Sequence, residues 1–264
     1  MADMAAQPIV TGKLGDVLSP SQTKTLITCA AKWYFKYLRG LPETTDGALA
    51  LGRALHAAVE QAMKWKRIAK RDMELAKVHA AFMASWTQEM KTAELRADEN
   101  AAELEAMGET LVAIYMREVA PGIEPALVEH EVSGSIGGVR VRGWVDLVDV
   151  QGTIIDLKTK GPRGRVEITP DDVFQVATYR RLCPVATGKA RLDILRRLKT
   201  PKADALEFDV TEADLRFVDT MYPLARDVIQ AGLYMPNRSC RFCSRKYCSF
   251  WRACETEFGG EVEQ

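Results

Sequence analysis

The stretch Gly143–Lys160, GWVDLVDVQGTIIDLKTK, reads as two short strands joined by a turn at Gln151–Gly152. Alternate side chains of a strand point to opposite faces. Asp146 therefore shares a face with Trp144, Arg142 and Arg140, while Asp156 and Lys158 share one face of the second strand and Ile155 and Leu157 the other. Two carboxylates and an ammonium project from adjacent strands. Carboxylate oxygens suit Mg2+ or Mn2+, which bind a few carboxylates together with water and phosphate oxygens. A lysine beside them can steady an attacking water or the phosphate under attack. That is metal-assisted phosphodiester hydrolysis in outline. An Asp and a Lys two apart on a strand equally form a solvated face or a plain ion pair, so the rest of the chain must decide.

A chain of 264 residues can bury one sizeable core, in a single domain or a domain with a helical annex. Its 47% apolar and 27% charged content is that of an ordinary soluble globular protein. Lys plus Arg equals Asp plus Glu at 36 each, so no global field draws the chain to nucleic acid or membrane. Any nucleic-acid contact must come from local basic patches. No apolar run approaches the roughly 20 residues of a membrane span, and MADMAAQPIVTG lacks the basic start and apolar block of a signal peptide. No membrane partner and a cytoplasmic location are the expectation.

Residues 1–19 read as a loose lead-in. A helix capped by Ser21 is expected to run to about Leu38 and to close at Gly40 and Pro42. A second helix over about 46–65 places Gly52, His56 and Glu60 four apart on one face. Two amphipathic helices follow at about 70–92 and 95–118, completing a helical region over 20–120. Strand patterns then occupy 126–159, a basic loop KGPRGR 160–165, a helix 170–182, strands 190–198 and 204–210, and a helix 212–231. A cysteine-rich segment, 238–255, and a tail, 256–264, end the chain. Helices followed by a strand cluster, a helix, two strands and a helix predict an α/β or α+β core, 126–231, behind a helical front.

His56 stands on an Ala-rich helix, where a histidine often simply packs; Gly52 one turn earlier leaves room for a ligand, and neutral imidazole binds Mn2+ and related ions. Gln175 and Tyr179 lie one helical turn apart and so share a face, either as an ordinary polar face or as donors to phosphate or base edges. Cys240, Cys243, Cys248 and Cys254 crowd into CRFCSRKYCSFWRAC, while Cys29 and Cys183 stand apart. Such crowding in a cytosolic chain argues for metal over disulfides. Four thiolates suit tetrahedral zinc or an iron–sulfur cluster. Basic and aromatic residues alternate through the same segment, which can serve single-stranded nucleic acid or pack as an aromatic plug.

The order GxxxH (Gly52 to His56), GxxD (Gly143 to Asp146), DxK (Asp156 to Lys158) and QxxxY (Gln175 to Tyr179) resembles the PD-(D/E)XK nuclease superfamily. Within it, the chain is similar to the RecB-like exonuclease branch, which includes the AddB nuclease domain and CRISPR-associated exonucleases. The resemblance covers about residues 20–255 as a single nuclease domain. It implies the restriction-endonuclease-like core, a central mixed sheet flanked by helices. It implies metal ligation by His56, Asp146, Asp156 and the Leu157 carbonyl, catalysis by Lys158, and support from Gln175 and Tyr179. It also implies a 4Fe-4S cluster held by Cys29, Cys240, Cys243 and Cys248. The branch's usual tail has five residues before the last cysteine; here four precede Cys248, and Cys254 competes as the fourth ligand. Zinc is the alternative occupant. The expected activity is a Mg2+- or Mn2+-dependent DNase, an exonuclease on single strands or DNA ends. The implied settings are recombination, repair, phage DNA processing or CRISPR adaptation, with a helicase, recombination or adaptation partner. The alternatives are a non-catalytic DNA-binding or assembly module, and a zinc-stabilised protein of unrelated role.

Overall fold

A computed structural model describes residues 16–162 and 164–263. In chain order the elements are β1 (Val17–Leu18), α1 (Pro20–Thr28), α2 (Ala30–Trp33), a π-helical turn (Tyr34–Leu38), α3 (Gly47–Ala69), α4 (Leu75–Glu89) and α5 (Ala101–Ile114). A second π-helical turn (Tyr115–Val119) and a 3-10 turn (Ala120–Gly122) follow. Then come β2 (Pro125–Ile136), β3 (Val139–Asp149), β4 (Ile154–Lys160), α6 (Pro170–Leu182), β5 (Lys189–Arg196), β6 (Lys202–Asp209), α7 (Glu212–Gln230) and α8 (Trp251–Phe258). Of the expected lead-in, residues 1–15 lie outside the described residues, as do Arg163 of the basic loop and Gln264 of the tail. Among the described residues no helix is long and apolar enough to cross a membrane.

The chain forms two compact units. One comprises Thr45–Val132 and Trp144–Leu215; the other comprises the residues up to Thr44, Ser133–Gly143 and the chain from Arg216 onward. β2, β3 and α7 run through both. The β2–β3 hairpin turns at Gly137 and Gly138, whose φ of +56° and +76° is the primed-turn geometry that glycine supplies. A Cβ on Gly137 would also lie 2.4 Å from Pro223.

The unit containing Thr45–Val132 and Trp144–Leu215 is a mixed α/β layer structure. β3 and β4 pair antiparallel through Leu147↔Ile155, β4 and β5 pair parallel from Ile154↔Ala190 to Lys160↔Arg196, and β5 and β6 pair antiparallel. The parallel pair is bridged by α6, as parallel strands require a long crossover. The two faces of β4 meet different helices. Ile155 and Leu157 pack with Leu51, Leu55, Phe82 and Leu111 of α3–α5, while Ile154 packs with Val176 and Tyr179 of α6. This is the central mixed sheet flanked by helices that the motif order implied.

Close packing on α3 follows from its small residues. Ala50, Ala54, Ala58 and Ala62 are fully buried along one face, and a Cβ at Gly108 of α5 would sit 2.1 Å from the Phe82 ring. Asp46 caps α3 through Leu49 N–H at 2.7 Å, and Glu99 accepts from Gly47 and Ala48 N–H at 3.0 Å each. Four further backbone donors at helix starts are met in the same way: Asn100 caps α5, and a Thr169–Asp172 capping box opens α6 just before Pro170.

In the other unit, β1 runs parallel to the first half of β3, Val17↔Arg140 and Leu18↔Val141. Two expectations are corrected here. Ser19, not Ser21, caps the first helix: its hydroxyl accepts from Gln22 N–H, Gln22 returns the bond, and Pro20 occupies the first turn. The helix expected to run unbroken to Leu38 is interrupted at Cys29, whose φ and ψ of −160° and 107° are extended. Asn237 stabilises the break, donating its side-chain amide to Thr28 O at 2.9 Å and its N–H to Cys29 Sγ at 3.4 Å. Phe35, Phe250 and Cys254 form the buried centre of this unit, with Cys29 and Cys248 packed against it. Tyr234 stacks on Trp33 and Tyr34, at 5.9 and 4.9 Å between centroids. Helix α8 begins inside the expected cysteine segment, 238–255, and runs into the expected tail as far as Phe258.

Candidate active site

α3 presents Gly52, His56 and Glu60 on one partly exposed face, as their spacing requires. Beside Gly52 there is room: the nearest atom to an added Cβ would be Thr159 Oγ1 at 4.0 Å. One turn on, His56 Nδ1 stands 3.6 Å from Asp146 Oδ2 of β3. The same Asp146 oxygen accepts the Leu157 N–H of β4 at 3.0 Å.

The third member of this group is Glu129 of β2. One ligand atom from each of His56, Glu129 and Asp146 lies within 4.8 Å of the others, a compact set of one nitrogen and two carboxylates. A cleft lined by these three with Glu60, Tyr115 and Leu157 surrounds it. Sequence reading missed Glu129, which sits in an ordinary apolar-alternating strand. Its backbone is what re-aims it. Glu129 has φ +43°, a left-handed conformation costly for a residue with a Cβ, and such strain concentrates at functional sites.

Asp156 is not in that trio. Its carboxylate is 2% exposed at the residue level and forms an ion pair with Lys158 Nζ at 2.7 Å. Gln175 Nε2 donates to Asp156 Oδ1 at 2.9 Å and also to Tyr179 OH at 3.2 Å, while Lys158 Nζ donates to Gln175 Oε1 at 3.5 Å. One amide thus ties together all the remaining predicted residues. The Asp156 oxygen that faces Lys158 is the buried Oδ2, while Oδ1 takes the Gln175 amide, so each carboxylate oxygen has its own partner.

The electrostatics point the same way. Burial, then the Asp156 charge, pushes Asp146 up to about 6, partly offset by His56. Burial, then Asp146 and Glu60, pushes Glu129 up to about 7. Burial alone would lower Lys158, but Asp156 and then Asp146 outweigh it and raise the ammonium above its usual range. Carboxylates crowded until they resist ionisation are relieved by a divalent cation. The donor set, oxygens with one imidazole, fits Mg2+ or Mn2+.

Tyr115 also went unread in the sequence. It opens the second π-helical turn, is buried at the cleft, and its hydroxyl lies 3.4 Å from Asp193, which Arg191 clamps at 2.8 and 3.0 Å. Lys160 of the basic loop does not point outward as a free cation; it closes the loop on Arg165 O and Glu167 O at 3.2 and 3.3 Å.

The cysteines gather in the other unit. Burial, then Cys248, Cys29 and Cys240, raises Cys243; burial, then Cys29, Cys248 and Cys243, raises Cys254. Five thiols from the two ends of the chain therefore lie within electrostatic reach of one another. Among the described residues no three of them bring sulfurs within 4.8 Å. One zinc ion needs sulfurs about 3.8 Å apart, from its bond length of about 2.3 Å. Cys183 lies apart, buried in the core beneath α6.

A sequence profile described as the PD-(D/E)XK nuclease superfamily matches residues 17–255. Among solved structures, that of a candidate exonuclease from Eubacterium rectale superposes with TM-score 0.56 at 14% identity, covering 92% of this chain and 88% of that one. The solved structure of SSO0001 gives a TM-score of 0.36 at 15% identity, covering 89% and 94%, too low to support an argument. No curated protein matches significantly.

Proposed function

The chain belongs to the PD-(D/E)XK nuclease superfamily, and we propose that it is a Mg2+- or Mn2+-dependent DNase of the RecB-like branch, an exonuclease acting on single strands or DNA ends. The observation that carries this reading is the convergence of His56, Glu129 and Asp146 within 4.8 Å, with Asp146 bonded to β4 one residue before Lys158. His56, Asp146 and Asp156 would hold the metal with the Leu157 carbonyl, and Glu129 joins them as a carboxylate the motifs do not include. The bound ion supplies neutralisation of charge on the scissile phosphate and a more acidic water.

The protein's own groups do the rest. Lys158, kept protonated by Asp156, is a fixed cation that stabilises charge building on the phosphate; it is not a base. Gln175 holds both Lys158 and Asp156 in place, and Tyr179 holds Gln175. The buried floor of Leu147, Ile155 and Leu157 limits the water around these charges, which strengthens each interaction.

A 4Fe-4S cluster on Cys29, Cys240, Cys243 and Cys248, with Cys254 competing for the fourth place, is part of the same proposal. Supporting it are thiols drawn from both chain ends that lie within electrostatic reach of one another. A cluster there would close a long loop of chain. The test is cleavage of labelled DNA with Mn2+, Mg2+ or EDTA, alongside Lys158→Ala. Absence of cleavage with any metal would leave a DNA-binding or assembly module.

A further inference from the structure

The cysteine-rich segment carries a surface that the nuclease chemistry does not use. Between Asp227 and Glu255 the chain has no acidic residue and five cations, Arg238, Arg241, Arg245, Lys246 and Arg252, in a protein of zero formal charge. Two successive tight turns shape it. In the first, Cys243 N–H donates to Cys240 O at 2.8 Å, which leaves Arg241 and Phe242 at the tip. In the second, the N–H groups of Tyr247 and Cys248 both return to Ser244 O, at 3.2 and 2.9 Å, which leaves Arg245 and Lys246 at the tip and Tyr247 directly after them. Each turn carries a cation followed directly by an aromatic ring.

The two pairs form one patch. Arg241 lies 4.6 Å from the Phe242 centroid and Lys246 lies 5.7 Å from that of Tyr247. The rings meet edge to face at 6.3 Å and 81°, and they are 51% and 46% exposed. Arg245 pairs with Glu255 at 3.2 Å; adjacent exposed rings beside the other cations of this segment call for a polyanion that carries flat apolar groups. A duplex hides its base faces in the stack, and two ring planes nearly at right angles can be covered only by bases splayed apart.

We propose that these two turns form a platform for single-stranded DNA, with Phe242 and Tyr247 stacking on unpaired bases and Arg241 and Lys246 pairing with the flanking phosphates. The proposal rests on the nuclease reading for the identity of the polymer and deepens it by naming the surface that selects unpaired strands. The cysteines set the turns, so whatever ties them together also fixes the platform.

The test is fluorescence anisotropy of the full-length protein in EDTA with a labelled oligothymidylate and a blunt duplex of equal length. Phe242→Ala/Tyr247→Ala is expected to weaken single-strand binding about 10-fold or more and to change duplex binding little. Phe242→Tyr/Tyr247→Phe, which keeps both rings, is expected to retain the affinity and so controls for folding. Arg241→Ala/Lys246→Ala is expected to reduce the slope of log K against log salt by about 1.4, at roughly 0.7 per phosphate contact on single strands. Unchanged single-strand affinity in the ring variant, equal losses on both DNAs, or no single-strand binding by the wild type would each overturn the proposal. These readouts are independent of cleavage. A protein that cuts DNA yet binds without these rings loses only the platform; ring-dependent binding without cleavage loses only the nuclease.

Discussion

Glu129 and Asp146 face each other across β2 and β3 with carboxylate oxygens inside 4.8 Å, and Asp146 is, after burial, the largest contributor to the upward shift of Glu129 to about 7. Both would be easier to accommodate with a cation between them. In its absence the pair is a source of instability.

That instability has a pH dependence. Glu129 titrates from 4.5 in the unfolded chain to about 7 in the fold, so the folded state binds the proton more tightly. Stability from this group is present below pH 4.5 and is lost as pH rises through 7. For a half-exposed carboxylate, screening cuts the effect to about 1 kcal/mol, or roughly 2–4 °C in a protein of this size. Metal-free Glu129→Gln is expected to melt that much above the wild type at pH 8 and level with it near pH 4. A difference independent of pH contradicts the assignment.

Metal should stabilise the wild type by mass action. Mn2+ at 100 times its Kd contributes about 2.7 kcal/mol, roughly 5–10 °C. The same Mn2+ concentration is expected to leave the melting temperature of Asp146→Asn nearly unmoved in differential scanning fluorimetry. An equal shift in the variant would place the ion elsewhere.

Gln175 is expected to matter through what it holds. Gln175→Leu leaves Asp156 Oδ1 without its donor, at a cost of about 1–3 kcal/mol, and frees Lys158. kcat on DNA should fall by 10-fold or more, in the range of other supporting residues, with KM little changed. A normal kcat would reduce Gln175 to packing.

The cysteines give a prediction of their own. Protein purified without oxygen should contain iron and sulfide, and Cys29→Ala should lose visible absorbance and melt lower. Cys248→Ala and Cys254→Ala separate the two candidates for the fourth ligand, since only the ligand's loss should bleach the cluster. Full colour in Cys29→Ala would remove the N-terminal thiol from the set.

The sequence was most informative where regular geometry applies. His56 one turn from Gly52, Asp156 and Lys158 on one face of β4, and Gln175 one turn from Tyr179 all follow from helical and strand periods, and the structure brings each pair together. What was illegible depends on departures from those periods. Glu129 enters the cleft through a left-handed residue in mid-strand, and Tyr115 through a π-helical turn; neither has a side-chain pattern that marks it. The break at Cys29 is stabilised by Asn237, more than 200 residues away, a tertiary bond that local propensity does not contain. Ser19 capped in preference to Ser21 because Pro20 fits the first helical turn.

The most direct test of the central claim is a gel of end-labelled single- and double-stranded DNA incubated with oxygen-free protein and Mn2+, Mg2+ or EDTA, beside Lys158→Ala. The account predicts cleavage with either metal, none in EDTA, none by Lys158→Ala, and shortening from a free end of the single strand. Full cleavage by Lys158→Ala, or cleavage that persists in EDTA, would contradict it.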